Sequence, residues 1–175
     1  PITIGAAFAT EASALMGLPG EPFDCARLLN ARVDNRARVS VRQCFYSVPV
    51  RYAGRRLPVR LAARTVEVYD GPGLVAHHER AVGRYVEVLA LDHYLEVLAV
   101  KTGAFPGATA LARARAGGVF GPAHERFWTE ARRRLGDRDG TRALIEVLLL
   151  HRTIAADALT AGIERALDAG SIDAA

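Results

Sequence analysis

The 175 residues carry 23 Lys and Arg against 19 Asp and Glu, a net charge of +4, and half of them are apolar. That composition leaves enough apolar mass for one large or two small cores and excludes a chain disordered throughout. No apolar run approaches the roughly 18 residues of a membrane helix, no charged-then-apolar leader opens the chain, and Cys25 and Cys44 supply neither a disulfide framework nor a metal spacing.

Residues 1–24 read as a connector. Ala6 to Leu18 is Ala-rich and weakly helical, with Phe8, Ala12 and Leu15 on one stripe, and Gly17-Leu18-Pro19-Gly20-Glu21-Pro22 stops any helix. The chain opens Pro1-Ile2-Thr3 without Met, which predicts a piece of something longer.

Charge concentrates next. From Arg27 to Arg64 stand ten arginines and one acid, Asp34, a local charge of +9, whereas the flanks are slightly acidic. One Lys against 22 Arg reflects codon usage, so the location of the arginines says more than their number. Five segments here alternate with the period of half-buried strands: Arg38–Arg42, Phe45–Arg51, Arg56–Ala62, Thr65–Tyr69 and Leu74–His78. Turns at Tyr52-Ala53-Gly54-Arg55 and Asp70-Gly71-Pro72-Gly73 separate them. Pro49 and Pro58 inside strand patterns predict open edges or bulges. Short strands at this spacing predict a small SH3-like all-β barrel, with Tyr46, Val48, Leu57, Val59, Val66 and Val68 inside it.

After Arg84 the period becomes helical. Asp92 is placed to cap a helix to Val100, a second covers 109–116, and Gly121-Pro122 opens a third with Phe127, Trp128, Ala131 and Leu135 on its apolar face. A fourth starts at Asp139 or Thr141, and the last covers 154–169 with Gly170 as its stop. The fold class is therefore α+β: a connector at 1–26, the barrel at 27–84 and a helical subdomain at 85–175.

The arginines carry the strongest chemical signal. Arg38, Arg42, Arg51, Arg56 and Arg60 fall on the outward parity of the predicted strands, with Arg55 in a turn, and guanidinium forks match phosphate. A solvated strand face is the plain alternative, although interleaved acids are missing. Phe45 and Tyr69 could stack on bases, but packing is the simpler role. His77-His78-Glu79 resembles a metal cluster, yet neighbouring strand residues point to opposite faces. Asp70, Asp92, Glu96, Asp137 and Asp139 sit where caps and turns want Asp, and no phosphate loop, nucleophile elbow or Cys–His arrangement appears. No catalytic or metal-binding set is expected in this chain.

The run Val39-Ser40-Val41, Phe45-Tyr46-Ser47-Val48-Pro49, Ala53-Gly54-Arg55-Arg56-Leu57-Pro58-Val59-Arg60, Val66-Glu67-Val68-Tyr69-Asp70-Gly71 and Leu74-Val75-Ala76-His77-His78 resembles the region after the catalytic core of IstA-type insertion-sequence transposases. Asp92-His93-Tyr94-Leu95, Lys101-Thr102-Gly103-Ala104-Phe105 and the helical tail from Leu144 to Leu149 resemble its continuation, except that Thr102 stands where Pro is expected. The resemblance implies a large bacterial protein with an upstream DDE-type core that uses Mg2+, a barrel and helical tail that bind DNA and assemble the complex, and a AAA+ helper ATPase. It implies no catalytic activity and no cofactor for this chain alone.

The resulting expectation is contact with double-stranded DNA, transposon end or target, through Arg36, Arg38, Arg42, Arg51, Arg55, Arg56, Arg60 and Arg64. Other transposase subunits and the ATPase would meet the helices, and the setting would be cytoplasmic and nucleoid-associated, with no membrane partner. The rival is an SH3-like protein-interaction module binding acidic or peptide partners.

Overall fold

The computed structural model describes residues 3–17, 20 and 23–172. Helix α1 (Ile4–Ala12) is capped by Thr3, whose hydroxyl accepts the Ala6 N–H at 3.3 Å, and buries none of its residues. Leu18, Pro19, Glu21 and Pro22 of the expected helix stop lie outside the described residues.

Among the described residues seven strands follow: β1 (Arg27–Arg32), β2 (Arg38–Val41), β3 (Cys44–Ser47), β4 (Arg56–Leu61), β5 (Thr65–Asp70), β6 (Gly73–Glu79) and β7 (Glu87–Val88). They form two sheets. One has the order β1-β4-β5-β6 and is antiparallel throughout; the other has the order β2-β3-β7, with β3 and β7 parallel. The expected barrel is thus two open sheets around one core, without closure. The predicted strand 45–51 is cut short at Ser47, because Pro49 offers no N–H to a ladder and the chain turns through a 3-10 segment at Val50–Tyr52. Pro58 is tolerated inside β4 because the β4–β5 pairing begins one residue later, at Val59.

Strand alternation sorts the side chains. Val39, Val41, Tyr46, Leu57, Val59, Val66, Val68 and Ala76 are buried in one cluster, joined by Val33, Val48 and Cys44. All six side chains expected in the interior are there. Cys44 belongs to this core, Cys25 is exposed, and both are free. Strand β1 is not legible by alternation; it exists because it pairs along the whole length of β4, from Arg27 opposite Leu61 to Arg32 opposite Arg56.

The helical half starts with a 3-10 turn, Leu91–Tyr94, so Asp92 lies in that turn and its carboxylate takes the Arg152 Nε–H at 2.7 Å. Then come α2 (Leu95–Val100), α3 (Thr109–Ala116), α4 (Pro122–Leu149) and α5 (Ala156–Asp168). Helix α4 is broken at Gly136, which has φ 84° and ψ 167°, and this is where two separate helices were expected. The halves fold onto each other. In a straight helix Trp128 and Thr141 would be about 20 Å apart, yet the Trp128 Nε1–H donates to Thr141 Oγ1 at 3.0 Å. Gly140 makes this possible: a Cβ there would lie 2.5 Å from the backbone of Ala131 and Arg132. Phe105, Leu111, Phe127, Trp128, Leu144, Ile145, Leu159 and Ile163 belong to a second, separate cluster.

The two cores meet at a polar seam. Fully buried Ser47 accepts the Ala90 N–H on Oγ at 2.9 Å and shares a hydrogen with His93 Nδ1 at 2.8 Å. Its carbonyl oxygen accepts the His78 Nε2–H at 2.7 Å, and the two imidazoles meet edge to face at 5.5 Å. Burial first, then the nearby His78, depresses His93 to a pKa of about 4, and burial lowers His78 as well.

Candidate nucleic-acid interface

The structure does not gather the eight expected arginines on one face. Arg38 is half-buried: it donates to Asp34 at 2.8 and 3.0 Å, bonds Glu87 and lies 4.7 Å over the Phe45 ring. Burial works against the Asp34 carboxylate, but the Arg38 guanidinium and the Arg38 and Arg36 N–H groups hold its pKa below the usual range. Arg38 therefore closes the β1–β2 loop and ties it to β7. Phe45 is covered by that guanidinium, so packing is its role.

Arg60 is half-buried too, bridging Asp24 at 2.9 Å and Glu67 at 3.0 Å. The Tyr69 hydroxyl donates to the same Glu67 at 2.9 Å. Arg55 pairs with Asp70 at 3.0 Å, and Arg55 and Arg51 both stack on Tyr52, at 5.3 and 5.0 Å. Apart from Asp34, the acids that neutralise these arginines, Asp24, Glu67, Asp70 and Glu87, lie outside the 27–64 segment whose charge stood out. Only the tertiary structure brings them in.

Five expected residues remain exposed without a carboxylate partner among the described residues: Arg36, Arg42, Arg51, Arg56 and Arg64. They occupy separate places. Arg56 stands on the outer face of the four-stranded sheet, directly opposite Arg32 of β1. Arg36 lines a cleft of about 200 Å3 between the two halves, where its carbonyl oxygen accepts the Tyr94 hydroxyl at 3.1 Å. Arg55 and Arg64 flank β4, whose length separates them by roughly 20 Å or more. Arg51 lies near the Arg55 end.

Arg42 and Arg64 stand at the other end, and two further arginines that sequence reasoning passed over join them there. Arg80 follows β6, and its N–H donates to the Arg64 carbonyl oxygen at 2.8 Å. Arg84 lies in the segment leading to β7. Both fall outside the strand-parity pattern, and their common signal was only a sparse Arg-x-x-x-Arg spacing after a strand. His77 and His78 point to opposite faces, His77 exposed and His78 buried. Among the described residues no three His, Cys, Asp or Glu side chains converge as metal ligands.

Residues 18–90 match the family model described as Mu transposase, C-terminal domain. That span covers both sheets and ends at Ala90, one residue before the 3-10 turn of the helical half. This part of the chain is similar to a transposase C-terminal region. Two candidate transposases of Sinorhizobium fredii (strain NBRC 101917 / NGR234) are also similar: y4bL/y4kJ/y4tB, 41% identical over 83 residues, and y4uI, 36% identical over 80 residues. The alignments cover 47% and 45% of the chain, and it spans 16% of the length of each relative. No solved structure matches the chain. No helix among the described residues is long and apolar enough to cross a membrane.

Proposed function

We propose that the two-sheet half of this chain holds DNA in a DDE-type insertion-sequence transposase of the IstA type, and that the helical half takes part in assembling the complex. The observation that carries the reading is the surplus of exposed arginines without carboxylate partners, concentrated in the span that is similar to a transposase C-terminal region. Each such guanidinium can replace a counterion on a phosphate, which favours backbone binding without base readout. Among the described residues, 27–88 contain no α-helix that could serve as a groove-reading element, which fits backbone contact. Strand transfer and its Mg2+ belong, in this reading, to carboxylates elsewhere in a longer protein. Other transposase subunits and a AAA+ helper ATPase are the proposed partners of the helices, at the bacterial nucleoid.

Titration of a labelled DNA duplex by fluorescence anisotropy across a salt series tests this reading. Engagement of about five phosphates gives a log–log slope of about −4 to −5, with little dependence on sequence. Absence of binding at low salt, or binding insensitive to salt, rules it out.

A further inference from the structure

The β2–β3 turn is built against conformational preference. Val41 pairs with Cys44, so Arg42 and Gln43 are the two residues of the loop, and both have positive φ, 50° and 64°. Two-residue hairpin turns of this type favour Asn-Gly, because side chains with a Cβ crowd the left-handed region. The strain does not stand alone. Tyr85 has φ 60°, and its N–H donates to the Gln43 carbonyl oxygen at 2.7 Å. The Phe45 N–H donates to Val86 O at 2.9 Å, and Cys44 Sγ donates to Gly83 O at 3.4 Å. The turn and the 83–86 segment thus hold each other rigidly. Strained backbone of this kind is retained where it aims side chains.

What it aims at is a cleft of about 300 Å3 lined by Arg42 on one side and Arg80 to Gly83 on the other. Arg64 stands at its edge, joined to Arg80 through the backbone. Buried Tyr46 also lines the cleft: its hydroxyl accepts the Ala81 N–H at 3.0 Å, and no acceptor among the described residues takes the hydroxyl proton. Arg80 spends one N–H on Ala62 O at 3.3 Å and keeps the others. No carboxylate pairs with Arg42, Arg64 or Arg80 among the described residues. The walls therefore offer forked cationic donors and a neutral hydroxyl donor, with no opposing anion. That donor set fits a tetrahedral oxyanion.

We infer that this cleft grips a backbone phosphodiester of a nucleic-acid strand, through Arg42 and Arg80 with the Tyr46 hydroxyl beneath them, and that exposed Tyr85 flanks the strand. The inference rests on the DNA-binding reading and names the surface where the main grip lies.

The test compares three variants with the unmodified chain, by anisotropy with a labelled duplex over a salt series and by thermal denaturation. Arg42→Ala with Arg80→Ala lowers affinity at low salt at least tenfold and reduces the salt slope by about two. Arg42→Asn with Gln43→Gly relaxes the turn, so Tm rises by about 2–4 °C while affinity falls several-fold, which separates loss of contact from loss of fold. Arg32→Ala with Arg56→Ala, on the outer sheet face, loses less than a third as much affinity as the cleft pair. If the cleft pair binds as well as the unmodified chain while the sheet-face pair loses tenfold, the inference is overturned and DNA binding stands on another surface. If the unmodified chain itself does not bind, the functional reading fails. Competition by a polyglutamate peptide equal to that by unlabelled duplex overturns the phosphodiester assignment in favour of an acidic protein partner.

Discussion

The two halves of the molecule pair arginine to different extents, and even in the helical half Arg113, Arg138, Arg142 and Arg165 have no carboxylate partner among the described residues. In the helical half Arg115 pairs with Glu125, Arg126 with Glu164, Arg133 and Arg134 with Glu130, and Arg152 with Asp92 and Glu96. Hydrogen bonds from Arg133 and Arg134 hold Glu130 at a pKa of about 2. Arg132 lies over Trp128 at 4.5 Å from the ring centre. In the sheet half only Arg38, Arg55 and Arg60 have carboxylate partners among the described residues. Arginine number therefore says little about where an anion binds. An ion-paired guanidinium would need to leave its partner before meeting a phosphate, whereas an unpaired one would not.

Separate cores underlie this division, and the largest expected effects test their independence. Gly140→Ala forces a methyl into the Ala131–Arg132 backbone. It should destabilise the helical half by about 3 kcal/mol, at the upper end of overpacking costs, with early loss of Trp128 fluorescence in chemical denaturation. Far-UV signal from the sheets should persist beyond that point. A single concerted transition would merge the halves into one cooperative unit.

Acid should attack the seam between them. His93 has a folded pKa of about 4 against an unfolded value near 6.5. Between those values the unfolded chain binds the extra proton, so stability rises with pH from about 4 to 6.5 and is flat above. The contribution of His93 alone is of order 3 kcal/mol, lost as pH falls through that window. Denaturation midpoints over a pH series should show this slope, and His93→Gln should flatten it. The buried His124, lowered by burial and by His151 beside it, carries a residual slope of the same sign.

A smaller change probes the sheet core. Val59→Ala removes two buried methyl groups and should cost about 2 kcal/mol, with Trp128 fluorescence unchanged below the transition.

The smallest effects separate free from paired arginines. Arg56→Glu should leave stability within about 0.5 kcal/mol and weaken duplex binding. Arg60→Glu should lower Tm more, since it sets a carboxylate directly opposite Glu67 and beside Asp24. Equal Tm values for the two variants would show that the Arg60 bridges contribute nothing.

Local pattern carried much of this molecule. Alternation in Arg56–Leu61 and Thr65–Asp70 marked strands and their inward residues, since the side-chain period of a strand is a local property. Gly170 and the 109–116 pattern marked helix ends for the same reason. By itself the sequence also determined the α+β order, the inward set around Val59 and the excess of arginine before residue 65. The rest depended on partners distant in the chain. Strand β1 exists by pairing with β4, β7 by two residues beside β3, and the open sheets in place of a barrel by where those pairings stop. The fate of each arginine was equally non-local: Arg38 needed Glu87, Arg60 needed Asp24 and Glu67, and Arg42 met Arg80 only because two turns bind each other's backbone. Parity shows whether a side chain leaves the core, but charge pairing depends on a few ångströms between residues tens of positions apart, and only tertiary structure sets that distance.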